Sequence, residues 1–177
     1  MTRAPGPVVV MGVSASGKST VGERLADRLD VPFVDGDDLH PESNVAKMRA
    51  GTPLTDADRL PWLDRVGEVL AESARPGIVV ACSALRRGYR ERILLAAPGT
   101  RFVHLDLSDR ELAERAGDRS GHFMPAALLA SQLSTLEPPE PDEPAVVVDA
   151  DAPIAEVVEA SVAWLDADAD ADADRRA

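Results

Sequence analysis

At 177 residues and 45% hydrophobic content, the chain has the size of one globular domain with a full core and is short for two. A net charge of −12 argues against a general nucleic-acid binder, which needs a basic face for the phosphate backbone. No apolar run approaches the roughly 20 residues that cross a bilayer, no secretion signal is recognisable, and Cys82 is the single cysteine, so a cytoplasmic protein without disulfides is expected.

In chain order, Pro7–Met11 is a short apolar run ending at Gly12, as expected for a buried parallel strand. A helix is predicted from Lys18 to about Asp30, with Val21, Leu25 and Leu29 on one face. Val31–Val34 reads as a second strand running into Asp35-Gly36-Asp37-Asp38. Glu42 to Ala50 reads as a helix stopped by Gly51, and Asp56 is expected to cap a longer one carrying Leu63, Val66, Val69 and Leu70. A third strand over Ile78–Cys82, a helix near Arg87–Leu95 and a strand over Arg101–Leu107 follow. Ser108 or Asp109 should cap a helix reaching about Ala116, and Pro125 sits in the first turn of another reaching Leu136. Ala145–Asp149 is the last strand, before a helix from Pro153 to about Leu165. This alternation predicts an α/β domain with a five-stranded parallel sheet between helical layers. Residues 1–166 are expected to form that single domain. The Asp-Ala alternation of residues 167–177 has no apolar face to bury and is expected to be a disordered acidic tail.

The segment Gly12-Val13-Ser14-Ala15-Ser16-Gly17-Lys18-Ser19 matches the phosphate loop G-x-x-x-x-G-K-[ST], and it lies where that motif must, between a strand and a helix. Gly12 and Gly17 let backbone N–H groups turn inward around phosphate oxygens. Lys18 supplies a cation to the β- and γ-phosphates, the Ser19 hydroxyl coordinates Mg²⁺, and the helix adds its positive end beside Thr20. An Asn-Lys-x-Asp guanine-reading motif is missing, so a Ras-type GTPase is not indicated.

A kinase also needs an acceptor site, a base and a cationic cover. Asp35-Gly36-Asp37-Asp38-Leu39-His40-Pro41 ends the second strand, where open α/β sheets bind ligands. A carboxylate there can take a hydroxyl proton or hold hydrated Mg²⁺, although turns are rich in Asp and Gly for local reasons too. Arg86 and Arg90, after Cys82-Ser83-Ala84-Leu85, could clamp an anionic group. Cys82 itself reads as a small core residue. Arg115, Arg119 and Ser120-Gly121-His122 suit a lid over approximately 115–125. The three histidines show no metal-ligand spacing.

Together these segments resemble the bacterial thermosensitive-type gluconokinases, relatives of shikimate kinases in the nucleoside-monophosphate-kinase-like group. The resemblance is carried by Met11–Ser14 and Gly17-Lys18-Ser19, by Asp35-Gly36-Asp37 with Leu39-His40-Pro41, and by Asn44 with Lys47-Met48. Gly51, Pro53-Leu54, Asp56, Asp58-Arg59 and Pro61-Trp62-Leu63 continue it. Cys82–Leu85 with Tyr89-Arg90, Gly121-His122-Phe123, Gln132, Leu136-Glu137 and Val148-Asp149 complete it. It implies a P-loop kinase fold with a lid and transfer of phosphate from ATP to D-gluconate with Mg²⁺, in a protein that is commonly a homodimer. It also implies roles. Lys18, Asp37 and Arg119 would be catalytic, with Asp37 the base. Gly12, Ser14, Ala15, Ser16, Gly17, Lys18, Ser19, Thr20 and Arg115 would hold ATP. Asp37, His40, Lys47, Arg59, Ser83, Arg86, Arg90, His122 and Gln132 would line the acceptor pocket. Ser19, with Asp35 through water, would serve the metal. Ala15 stands where the family usually has Gly or Ser, and Arg86 where Lys is common. Other readings are a shikimate or nucleoside-monophosphate kinase, against which the missing Gly-Gly-Gly loop counts for shikimate, and an ATP-sensing module.

Overall fold

The structure is a computed structural model and describes residues 5–118 and 126–175. Five strands form one sheet: β1 (Gly6–Met11), β2 (Phe33–Asp35), β3 (Gly77–Ala81), β4 (Arg101–Asp106) and β5 (Ala145–Asp149). Their order is β2-β3-β1-β4-β5 and every pairing is parallel. The central strand β1 is buried on both faces, which is why it is apolar at consecutive positions instead of alternating.

Helices cover both faces. Val8 and Val10 of β1 point to the side packed by α1 (Lys18–Leu29) and α7 (Ile154–Arg175), where Val21, Leu25, Val157, Val158, Val162 and Leu165 close one core. Val9 and Met11 point to the other side, against Trp62, Leu63, Val66 and Leu70 of α3 (Asp56–Glu72) and Tyr89 and Ile93 of α4 (Arg87–Ala96). The expected α/β/α sandwich is therefore present, its cores built mainly from aliphatic side chains. The remaining helices α2 (Glu42–Arg49), α5 (Asp109–Asp118) and α6 (Ala126–Thr135) stand around the carboxyl ends of the strands. Among the described residues no helix is long and apolar enough to cross a membrane.

Two local expectations are corrected and one short element is added. The cap of α3 is Thr55, not Asp56: its hydroxyl accepts from Asp58 N, and the Asp58 carboxylate accepts from Thr55 N, a reciprocal capping box. The segment Asp35–Leu39, into which the second strand was expected to run, forms a 3₁₀ helix over Gly36–Leu39 capped by the Asp35 side chain. The helix α7 runs on to Arg175, where a disordered tail was expected from residue 167. A helix already nucleated and docked extends cheaply, and alanine at every second position has the best intrinsic propensity. Arg101 helps by donating to Leu165 O at 2.6 Å and lying 3.8 Å from Asp168.

Candidate active site

The phosphate loop leaves β1 at its carboxyl end and enters α1. Gly12 sits at φ 150°, and a Cβ there would come within 2.8 Å of Ser16 Oγ, so the loop can coil this tightly only with glycine. Gly17, at φ 91°, is the residue before α1. Ala15 holds φ 64°, a left-handed conformation that costs a non-glycine residue about 1 kcal/mol. The small side chain is thus tolerated under strain, at the position where the resembling family usually has Gly or Ser. Lys18 Nζ donates to Val13 O at 2.9 Å, which folds the ammonium back over the loop. Ser16 is fully buried and its hydroxyl has no partner among the described residues.

Asp35 joins this donor half to the acceptor half. Its carboxylate accepts from Ser19 Oγ at 2.7 Å and from Asp37 N at 3.0 Å. Gly36 then passes so close to β3 that a Cβ would meet Ala81 O at 2.3 Å, and its carbonyl accepts from Trp62 Nε1 at 2.7 Å. That close passage brings Asp37 over the strand ends.

One cavity is lined at once by Ser14 and Lys18 of the loop, by Asp37 and His40, by Arg59 and Trp62 of α3, and by Ser83 and Gln132. Met48, Pro53, Leu54, Leu85 and Leu128 supply apolar wall, and Ser131 a further hydroxyl. Gln132 Oε1 accepts from Ser14 N at 2.7 Å, tying α6 to the phosphate loop. Asp37 is open to solvent at the cavity mouth. The protein surrounding its carboxylate nevertheless raises the pKa above 3.8, with Asp35 and Asp38 adding to the rise and Lys18 opposing it. Solvent access limits that rise. Burial pushes His40 down to about 4, with Arg59 contributing, so its ring is neutral at pH 7.

Arg59 is held from behind. Its guanidinium donates to Tyr89 Oη at 3.2 Å, lies 5.6 Å from the Tyr89 ring centroid and is 3.5 Å from Asp56. Tyr89 in turn donates to Asp56, which also accepts from Arg86 at 3.1 Å. Arg86 therefore supports this network and is not among the residues lining the cavity. Lys47 is also outside the lining, and donates to both Asp58 oxygens at 2.8 Å.

Arg90 is placed differently from the expectation that it binds substrate. It is 0% exposed, and it donates to both oxygens of Glu143 at 2.6 and 2.9 Å, to Ala84 O and to Glu137 O. With its donors so engaged beneath α4, it anchors the segment between α6 and β5. Cys82 is 1% exposed and burial pushes its thiol up to about 12, so it is the inert core residue expected.

A second cavity flanks the loop on its other side, lined by Ala15–Gly17, Thr20, Arg115, Ala150 and Ile154. Arg115 there donates to Ser16 O and Ala150 O and is paired with Glu111 at 2.9 Å. Arg119, His122 and most of the 115–125 lid lie outside the described residues.

Sequence reasoning gave no role to Asn44, Asp58 or Trp62. Their signal was present, since they fall within the strings that carried the resemblance, but no spacing along the chain links residue 62 to residue 40. The metal-serving pair fits a hard cation, because Ser19 Oγ and Asp35 offer only oxygen, the donor class Mg²⁺ takes.

A phosphate loop facing an acid-containing cavity across the ends of a parallel sheet defines a P-loop phosphotransferase. A family model described as an AAA domain matches residues 8–139. The gluconokinase of Gluconobacter oxydans (strain 621H) is 53% identical over 143 residues, 80% of each chain. The thermosensitive gluconokinase of Escherichia coli (strain K12) is 43% identical over 85% of this chain and 82% of its own. The crystal structure of a gluconokinase from Sinorhizobium meliloti 1021 superposes with a TM-score of 0.83 at 51% identity, covering 92% of this chain and 93% of that one. The chain belongs to the gluconokinase family.

Proposed function

We propose that this protein transfers the γ-phosphoryl group of ATP to D-gluconate, giving ADP and 6-phospho-D-gluconate. The observation that carries the reading is the single cavity bounded by Lys18 on the donor side and by Asp37, His40 and Arg59 on the acceptor side. Gluconate is a polyol with one carboxylate, so it needs a cation at one end and neutral polar groups along its length. Arg59 is the cation, and Ser83, Gln132 and His40 are the polar groups.

In the proposed step Asp37 accepts the proton of the acceptor hydroxyl as its oxygen forms a bond to the γ-phosphorus. The bond from that phosphorus to the β–γ bridging oxygen breaks, and ADP leaves with the electron pair. Lys18 and the loop N–H groups offset the charge on the phosphates. Mg²⁺, when bound with ATP, would neutralise further phosphate charge, held by the Ser19 hydroxyl and by Asp35 through water. Arg115 beside Gly17 covers the nucleotide from the lid side. A cytoplasmic homodimer completes the reading on the strength of the family resemblance, and sedimentation would check the dimer.

A coupled ADP-release assay with gluconate, shikimate and nucleoside monophosphates tests the acceptor. Turnover with gluconate alone is expected, and equal turnover with shikimate would overturn the assignment. Asp37→Asn should lower kcat by about 10² to 10⁴-fold while ATP binding by calorimetry stays nearly intact. Full activity in that variant would remove Asp37 as the base.

A further inference from the structure

His40 is held more firmly than a pocket residue needs merely to fill space. Its ring stacks on Trp62 with centroids 4.1 Å apart and planes 14° apart. Trp62 is itself 2% exposed and pinned by its hydrogen bond to Gly36 O. The plane of the imidazole is thereby set, and what stays open is which ring edge faces the cavity and which nitrogen carries the proton.

Asn44 answers both. It is 2% exposed, and its Nδ2 lies 2.8 Å from Asp58 O and 3.2 Å from His40 Nδ1. A carbonyl can only accept, so the side-chain amide must present its NH₂ group to Asp58. Flipping the amide would set two acceptors against each other, which fixes its orientation. The NH₂ group has no lone pair to offer, so His40 Nδ1 must be the acceptor and the proton must sit on Nε2. Nε2 has no partner among the described residues, yet it is not among their enclosed, unpartnered polar atoms, which are Ser16 Oγ, Thr100 Oγ1 and His104 Nδ1. It is therefore accessible, on a ring that lines the cavity.

We propose that Asn44 is a positioning residue that locks His40 as the neutral Nε2–H tautomer, so that the ring presents one fixed N–H donor to an oxygen of the acceptor substrate. The second half rests on reading the cavity as the acceptor site; the first does not. The charged groups around the ring agree with it. Arg59, on α3, opposes a second positive charge, while Asp58 is already committed to Lys47 and Thr55. The consequence is a specificity device. A hydroxyl or carboxylate oxygen can accept from Nε2–H, whereas an ammonium group in the same place would set N–H against N–H.

The test uses the full-length protein, ¹⁵N-labelled and free of ligand, with two-bond ¹H–¹⁵N correlation of the imidazole rings. His40 is assigned by the signal lost in His40→Gln. The expected wild-type spectrum at pH 7 is a neutral ring protonated on Nε2. Asn44→Asp puts an acceptor opposite Nδ1 and should move the proton there or charge the ring. Asn44→Ala removes the lock and should give mixed tautomers, so a folding failure of one variant leaves the other. In Asn44→Ala the KM for gluconate should rise about five- to tenfold, the loss of roughly one oriented hydrogen bond, with KM for ATP within about twofold of wild type. A wild-type ring that is charged or protonated on Nδ1, or a tautomer unchanged in both variants, overturns the proposal. A wild type inactive on gluconate would defeat the substrate reading, while the spectra still decide the tautomer.

Discussion

Asp37 meets two opposing demands. As the proposed base it must be ionised to take a proton, yet the protein around it raises its pKa above 3.8. A raised pKa means that the carboxylate protonates earlier as pH falls. The acid limb of kcat/KM should therefore lie above pH 3.8 and be absent from whatever residual activity Asp37→Asn retains, which a pH–rate profile would show. Arg59 illustrates the same dependence on neighbours. Its place in the cavity is set by Tyr89, a residue that does not line the cavity. Tyr89→Phe keeps the ring under the guanidinium but removes the hydroxyl that Arg59 donates to and that donates to Asp56. The expected result is a rise in the KM for gluconate of about tenfold, with a smaller change in kcat, since one hydrogen bond to a charged group is worth about 1.5 kcal/mol. Steady-state kinetics on the two substrates separates these effects.

At the scale of elements, the site depends on how α4, α6 and the segment before β5 are fastened together. Arg90 is the fastener, with no exposed surface, and the Glu143 side chain beside it is only 5% exposed. The hydrogen bonds from Arg90 hold the Glu143 carboxyl below its ordinary 4.5. A folded-state pKa below the unfolded one means that the unfolded chain binds more protons on acidification. The stabilisation from this pair is therefore complete above about pH 4.5 and is lost as pH falls through the folded value. Glu143→Gln leaves a buried guanidinium without its counter-charge and should cost about 3 kcal/mol at pH 7, measured by urea unfolding. The difference from wild type should shrink on acidification below pH 4.5. An equal difference at every pH would mean that packing, not charge, holds the segment.

For the molecule as a whole, stability should reside in the two cores on either face of β1, and the far end of α7 should add little. Val157, Val158, Val162 and Leu165 are buried, while residues 170–175 continue the helix in a stretch rich in Asp. Removing residues 170–177 should leave kcat/KM unchanged and shift the unfolding free energy by no more than about 0.5 kcal/mol, with a loss of far-UV helical signal. A large destabilisation in that truncation would show that the extension packs where the cores do not reach.

The order of strands and helices was legible from the chain because each strand is a short apolar run and the helices between them are marked by an apolar period or a stop signal. The phosphate loop was legible for a related reason, since the positive-φ turns at Gly12 and Gly17 are local demands that glycine meets, and Asp37 was legible from its place at the end of the second strand. The continuation of α7 was missed because the absence of an apolar face was read as the absence of helix, although alanine and a docked first half suffice. Arg90 was assigned to substrate because a charge says nothing of its burial, and Glu143 lies 53 residues away. The stacking of Trp62 on His40 and the locking of that ring by Asn44 were equally hidden, since packing across elements has no periodicity. The sequence by itself determined that a triphosphate loop faces an acidic acceptor loop in an α/β kinase of this family. Only the tertiary structure decided which cations face the cavity and which hold the walls, because that depends on which counter-charges the fold brings within reach.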